Sequence, residues 1–145
     1  LKRHTFGVFL LSVGVVAGPV GTVHATDTSL GRLLDQWSAQ AGRPGDAGRG
    51  EAFFVSRHGG RWSCASCHGA PPTRPGRHDG TGRALDPLAP GFNPKAFTDT
   101  ARVDKWFRRN CRDVLARECS AAEKSDVLAY LDGLGQAGGS GTPPR

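Results

Sequence analysis

At 145 residues the chain has room for one domain and little more, and 19 basic against 13 acidic residues give it a formal charge of +6. A charge this small, with no basic block interleaved with aromatics, argues against nucleic acid as a partner. With 21 glycines, 10 prolines and 37% hydrophobic residues, a domain of this size is short of apolar core, a deficit that a large flat apolar cofactor would fill.

Residues 1–25 read as a secretory signal. Lys2 and Arg3 form a charged start, Phe6 to Val16 an apolar run, and Val23-His24-Ala25 a cleavage site. The alternative is a retained membrane anchor, but Gly14, Gly18, Pro19 and Gly21 interrupt the run, whereas a spanning helix needs ~20 predominantly apolar residues. Cleavage after Ala25 removes two bases and no acid, leaving about +4. Export to the periplasm also means an oxidising compartment, where cysteines form disulfides or hold cofactors.

Four segments then carry helical periodicity. Leu30, Leu33, Leu34, Trp37 and Ala41 form the first stripe. Gly50, Phe53 and Phe54 suggest a short second helix that ends before Gly59-Gly60. A Gly/Pro-rich stretch from Gly69 to Phe97 follows, a length that compact domains reserve for function or for wrapping something. Val103, Trp106, Phe107, Asn110 and Val114 repeat the helical spacing, and Val127, Tyr130, Leu131 and Leu134 do so a fourth time. Ser120 with Glu123 makes a capping box at the start of this last helix. With no strand alternation and no internal repeat, the expectation is an all-α domain over residues 26–134. Residues 135–145 form a Gly/Ser/Pro tail expected to be disordered.

Residues 64 to 68 read Cys-Ala-Ser-Cys-His. Thiols at this spacing can add to the two vinyl groups of one haem, and the adjacent histidine then lies beneath the iron as its proximal ligand. Cys64, Cys67 and His68 are therefore expected to hold a single covalent haem c. A zinc ribbon would need a second Cys-x-x-Cys, which Cys111 and Cys119 are too far apart to supply. A thioredoxin-like redox pair would need a βαβ setting, which is absent.

The surroundings resemble the class I cytochromes c. Gly50 and Phe54 match that family's early helix, Tyr130 its C-terminal helix, and Pro71 and Pro72 its proline that supports the proximal histidine. A class I cytochrome usually closes its haem with methionine, and this chain has none. Other candidates for the sixth position differ in reach. His58 precedes the motif too closely, and His24 leaves with the signal. His78 sits in the long loop and has the reach. Lys95 would first have to lose its proton. Asn110 lies on the apolar stripe of the third helix, opposite Arg102, Lys105, Arg108, Arg109 and Arg112. Buried there it must find a polar partner or cost ~1–3 kcal/mol. That partner is either a haem iron or its ligand, or the backbone of a helix end that Asn110 caps.

The run from Pro87 to Leu131, PLAPGFNPKAFTDTARVDKWFRRNCRDVLARECSAAEKSDVLAYL, resembles the sphaeroides haem protein family, small monohaem class I cytochromes c with an asparagine as distal ligand. The similarity covers nearly the whole chain after the signal. In that family the ligating asparagine immediately precedes a cysteine, as Asn110 precedes Cys111, and that cysteine pairs with one just before the last helix, matching Cys119. The resemblance thus implies a class I cytochrome c fold, Asn110 as distal ligand and a Cys111–Cys119 disulfide. It also implies transient binding of oxygen or nitric oxide, and a dihaem cytochrome c or membrane b-type cytochrome as redox partner. A monomer is expected.

Trp106 and Phe107 are expected to pack on the haem, and Trp62 and Arg83 are weaker candidates for its propionates. Three functions compete: binding of a diatomic at a displaceable Asn110 with redox turnover, plain electron transfer with a permanent sixth ligand, and an enzyme of oxygen or nitric oxide chemistry. The missing methionine counts against the second. The third would need acid–base groups, and the Asn110 face offers no histidine or carboxylate.

Overall fold

The computed structural model describes residues 26–139, so the expected signal, with His24, and residues 140–145 of the tail lie outside it. Its helices are α1 (Leu30–Ala41), α2 (Ala47–Val55), α3 (Cys64–His68), α4 (Thr100–Leu115) and α5 (Ala121–Gly139). A two-stranded antiparallel ladder joins β1 (Gly76–Arg77) to β2 (Ala84–Leu85), with Gly76 opposite Leu85. No helix among the described residues is long and apolar enough to cross a membrane.

Local chemistry starts each helix. Ser29, Asp46 and Asp99 accept backbone N–H groups of Arg32, Arg49 and Arg102 at the first turns of α1, α2 and α4. The Ser120–Glu123 capping box forms as expected: Ser120 Oγ accepts the Glu123 N–H, and Glu123 Oε2 accepts the Ser120 N–H at 2.8 Å. Gly42 ends α1 in the left-handed conformation, at φ 68°.

The apolar stripes meet in one core built from Leu30, Leu33 and Trp37 of α1, Phe54 of α2, Val103 of α4, and Val127, Leu128, Tyr130 and Leu131 of α5. Side chains such as Phe54 and Leu131 each contribute ~1.5–3 kcal/mol on full burial. The α2–α5 crossing is close because Gly50 has no side chain; a methyl group there would overlap the Asp126 carbonyl oxygen. Phe54 and Tyr130 meet beside it with ring centroids 5.6 Å apart.

One polar knot fastens this frame. The buried Asp126 carboxylate accepts from Arg43 at 2.8 and 2.9 Å, from Arg49 at 3.0 and 3.1 Å, and from the Asp46 N–H at 2.8 Å. Burial alone would push its pKa up. Those five donors more than offset it and hold the carboxyl well below the usual carboxylate range.

Three details differ from expectation. The haem-motif pentapeptide is itself a helix, α3, capped reciprocally by Ser63 and Ser66; at five residues it is too short for a periodic signal. The β1–β2 ladder has two residues per strand, too few to alternate. The third concerns the tail: α5 runs through Gly139 rather than stopping at Leu134. There Gly135 serves packing, because Gly91 of the long loop lies against its backbone.

Candidate functional site

α3 presents Cys64, Cys67 and His68, and neither cysteine is in a disulfide. The helix is seated from behind by Gly76 of β1, where a Cβ would overlap the Cys67 carbonyl oxygen. Cys67 Sγ accepts the Asp79 N–H at 3.3 Å, and the Trp62 indole donates to the Asp79 carboxylate at 2.7 Å. Trp62, a candidate propionate donor, is therefore already engaged, while Arg83 stays exposed. The Asp79 contacts were not foreseen, since nothing local in the sequence links residues 62, 67 and 79.

Cys64 packs against the core. Burial, reinforced by the nearby Cys67, pushes its thiol up to about 11 although a backbone hydrogen bond opposes the shift. Such a site penalises a thiolate and tolerates a neutral thioether. Burial likewise lowers the His68 pKa, with a smaller push from the charge of His78, so the imidazole is held neutral and its lone pair is free. The His68 Nδ1 is buried and has no hydrogen-bond partner, a polar atom that costs ~1–3 kcal/mol unless it is satisfied. Neither nearby proline carbonyl is hydrogen-bonded to it: that of Pro71 accepts from Thr73, and that of Pro72 from Leu88 and Ala89. A buried Cys64 thiol held neutral, a second cysteine free of any disulfide at Cys67 and an unpartnered imidazole at His68 fit a covalently attached haem.

α4 makes no extensive backbone contact with the α1/α2/α5 frame. It reaches that frame through Val103, through the edge-to-face pair of Phe107 with Trp37 at 5.0 Å, and through the Cys111–Cys119 disulfide, which the structure contains as expected. Between them lies a cavity lined by Phe53, Cys64, Phe107, Asn110, Val114, Val127 and the disulfide, among others. Among the described residues, Asn110 is the only one lining it with an amide or hydroxyl. Its side chain has no hydrogen-bond partner among them, and α4 is capped at Ala116. The helix-capping alternative for Asn110 therefore falls.

The structure thus brings Cys64, Phe107 and Asn110 to one cavity, along with Phe53 and Val127, which sequence periodicity had marked only as helical core. Trp106, expected beside Phe107, does not line it. One residue along a helix is a turn of about 100°, and Trp106 instead forms part of an outer depression with Asp99, Ala101, Arg102 and Lys105. The other candidate ligands are elsewhere. His58 bonds the Phe53 carbonyl at 2.9 Å, His78 Nδ1 accepts the Thr81 N–H at 3.2 Å, and Lys95 is exposed; none lines the cavity.

Residues 40–131 match a family described as a domain of unknown function, DUF1924. The chain is 47% identical over 127 residues to the cytochrome c-type protein SHP of Cereibacter sphaeroides, a match covering 85% of this chain and 95% of that protein. A solved structure of oxidized SHP, described as an oxygen-binding cytochrome c, superposes with a TM-score of 0.68 at 48% identity, covering 72% of this chain and 96% of that one. The solution structure of cytochrome c'' from Methylophilus methylotrophus, a study of haem-ligand detachment, superposes with a TM-score of 0.62 at 32% identity, covering 70% and 90%.

Proposed function

Because the chain belongs to the SHP family of class I c-type cytochromes, we propose that it is a periplasmic monohaem cytochrome c whose distal ligand, Asn110, gives way on reduction to a diatomic guest such as O₂ or NO. A bound c-type haem supplies a one-electron iron centre with one exchangeable coordination position.

In this reading Cys64 and Cys67 hold the group through thioether sulfurs, and His68 offers its neutral imidazole from the α3 side. Asn110 offers an amide oxygen from α4. That oxygen is a hard, neutral, weak donor, which suits ferric iron better than ferrous. A methionine sulfur would have the opposite bias, and the chain contains no methionine. Once displaced, the Asn110 amide still carries N–H donors able to bond a diatomic. Phe53, Phe107 and Val114 line the same cavity with apolar surface. Export rests on the pattern of residues 1–25.

The observation that carries the reading is Asn110: a half-buried amide without a side-chain partner on the same apolar cavity as Cys64. It is tested by absorption spectra of the holoprotein, oxidised and reduced, with and without CO. A five-coordinate reduced spectrum that shifts with CO is expected. Asn110→Ala should remove the six-coordinate oxidised form while keeping the CO shift. A six-coordinate reduced spectrum indifferent to CO would instead mean a closed haem and a plain electron carrier.

A further inference from the structure

α4 has two unlike faces. Its inner face, carrying Val103, Phe107, Asn110 and Val114, meets the core and the cavity. Its outer face presents Arg102, Lys105, Arg108 and Arg109, all exposed and none in a salt bridge among the described residues. Arg112 continues the row and pairs with Glu118 at 3.0 Å. Half-buried Trp106 sits at the seam between the faces, with Lys105 Nζ 5.8 Å and the Arg109 guanidinium 5.7 Å from its ring centroid.

From this we infer that the outer face of α4 is the docking surface for an acidic electron-donor protein that reduces the site, an inference that rests on the function proposed above. Four unneutralised cations on one face repel each other, and a complementary carboxylate surface relieves that and steers encounter. Trp106 and its flanking arginine supply the aromatic and guanidinium contacts that anchor protein interfaces. Position suits the role too. A helix with its side chains is ~10–12 Å across, so a partner on the outer face lies one helix thickness from the cavity wall. One electron leaves the reduced partner and is taken up at the site; no group or proton passes between the two proteins.

Other anionic occupants fit less well. Asp104 and Asp113 lie on the same helix beside the basic row, a mixed pattern suited to discrete carboxylates rather than a continuous line of phosphates. A membrane-surface helix would turn its apolar face to the lipid, whereas the apolar face of α4 is committed to the core.

The test titrates ¹⁵N-labelled holoprotein with an acidic flavodoxin at low salt. Shifts should concentrate on residues 102–112, and binding should weaken steeply with added salt. Arg108→Glu should weaken binding about tenfold. Arg32→Glu makes the same charge change at an exposed arginine of α1 that has no side-chain partner among the described residues, and should leave affinity within about twofold. Equal weakening by both variants, shifts away from α4, or capture only by phosphatidylglycerol vesicles would overturn the inference. The CO spectrum of each variant reports separately on the haem reading. A reduced protein blind to CO fails that reading whatever the titration gives, and a protein that takes CO yet ignores flavodoxin fails only the docking surface.

Discussion

Asn110 concentrates the functional question in one amide. Its oxygen is matched to the harder, oxidised metal, so exchanging it for a softer donor should invert the redox bias without changing the cavity's shape by much. Asn110→Met is expected to keep the reduced protein six-coordinate, raise its reduction potential, and slow CO association at least about tenfold. Stopped-flow mixing with CO checks this, and wild-type kinetics in the variant would mean that Asn110 is not at the exchangeable position. A different single atom governs the helix crossing. At Gly50 the added methyl of alanine meets the Asp126 carbonyl, which is backbone and cannot swing aside. Gly50→Ala should therefore cost about 3 kcal/mol or more in denaturant unfolding, whereas Gly31→Ala, with open space around it, should be neutral or slightly stabilising by helix propensity.

Among the elements, the start of α5 is set by charge as well as by capping. The hydrogen bond from Arg117 pulls the Glu123 pKa from its ordinary value near 4.5 down to about 2, helped by Ser120 and opposed by burial. A carboxylate depressed in the folded state stabilises it fully above its unfolded pKa, and that contribution is lost as pH falls through the folded value. Glu123→Gln should thus be less stable than wild type by about 1 kcal/mol at neutral pH, after allowing for the exposure of Arg117. The gap should close as pH is lowered from 5 towards 2, and a gap that persists at pH 2 would assign the effect to packing. This box was legible in the sequence because Ser120 and Glu123 lie within one turn. So were the four amphipathic stripes, whose period survives whatever surrounds them, and the Cys-x-x-Cys-His unit. What escaped depends on distance or on direction. The Trp62–Asp79–Cys67 contacts join residues far apart in sequence. Trp106 sits at the seam of α4 rather than on the cavity because of a rotation that its apolar character concealed, and Gly135 looked like tail composition until Gly91 was seen against it.

For the molecule as a whole, stability and ligand exchange are assigned to different fasteners. The Asp126 knot ties the Arg43–Arg49 segment to α5 and so closes the α1/α2/α5 frame, while α4 is tied to that frame chiefly by Val103, Phe107 and the Cys111–Cys119 bridge. Breaking the two should have different signatures. Asp126→Ala strands two arginines that are themselves half in water, so about 2–3 kcal/mol should be lost globally. Hydrogen-exchange protection should then fall together in α1, α2 and α5. Cys111→Ser with Cys119→Ser opens a short covalent loop worth about 2–3 kcal/mol in chain entropy, and it does so one residue from Asn110. Exchange should then rise in α4 first, with α1, α2 and α5 still protected, and CO should associate with altered kinetics because the constraint on Asn110 has gone. If α4 loosens while CO kinetics stay at the wild-type value, the disulfide is a plain staple and the position of Asn110 is set by the core contacts of Val103 and Phe107. If protection falls evenly everywhere, α4 is part of the same cooperative unit as the frame, and the release of Asn110 must be local to its side chain.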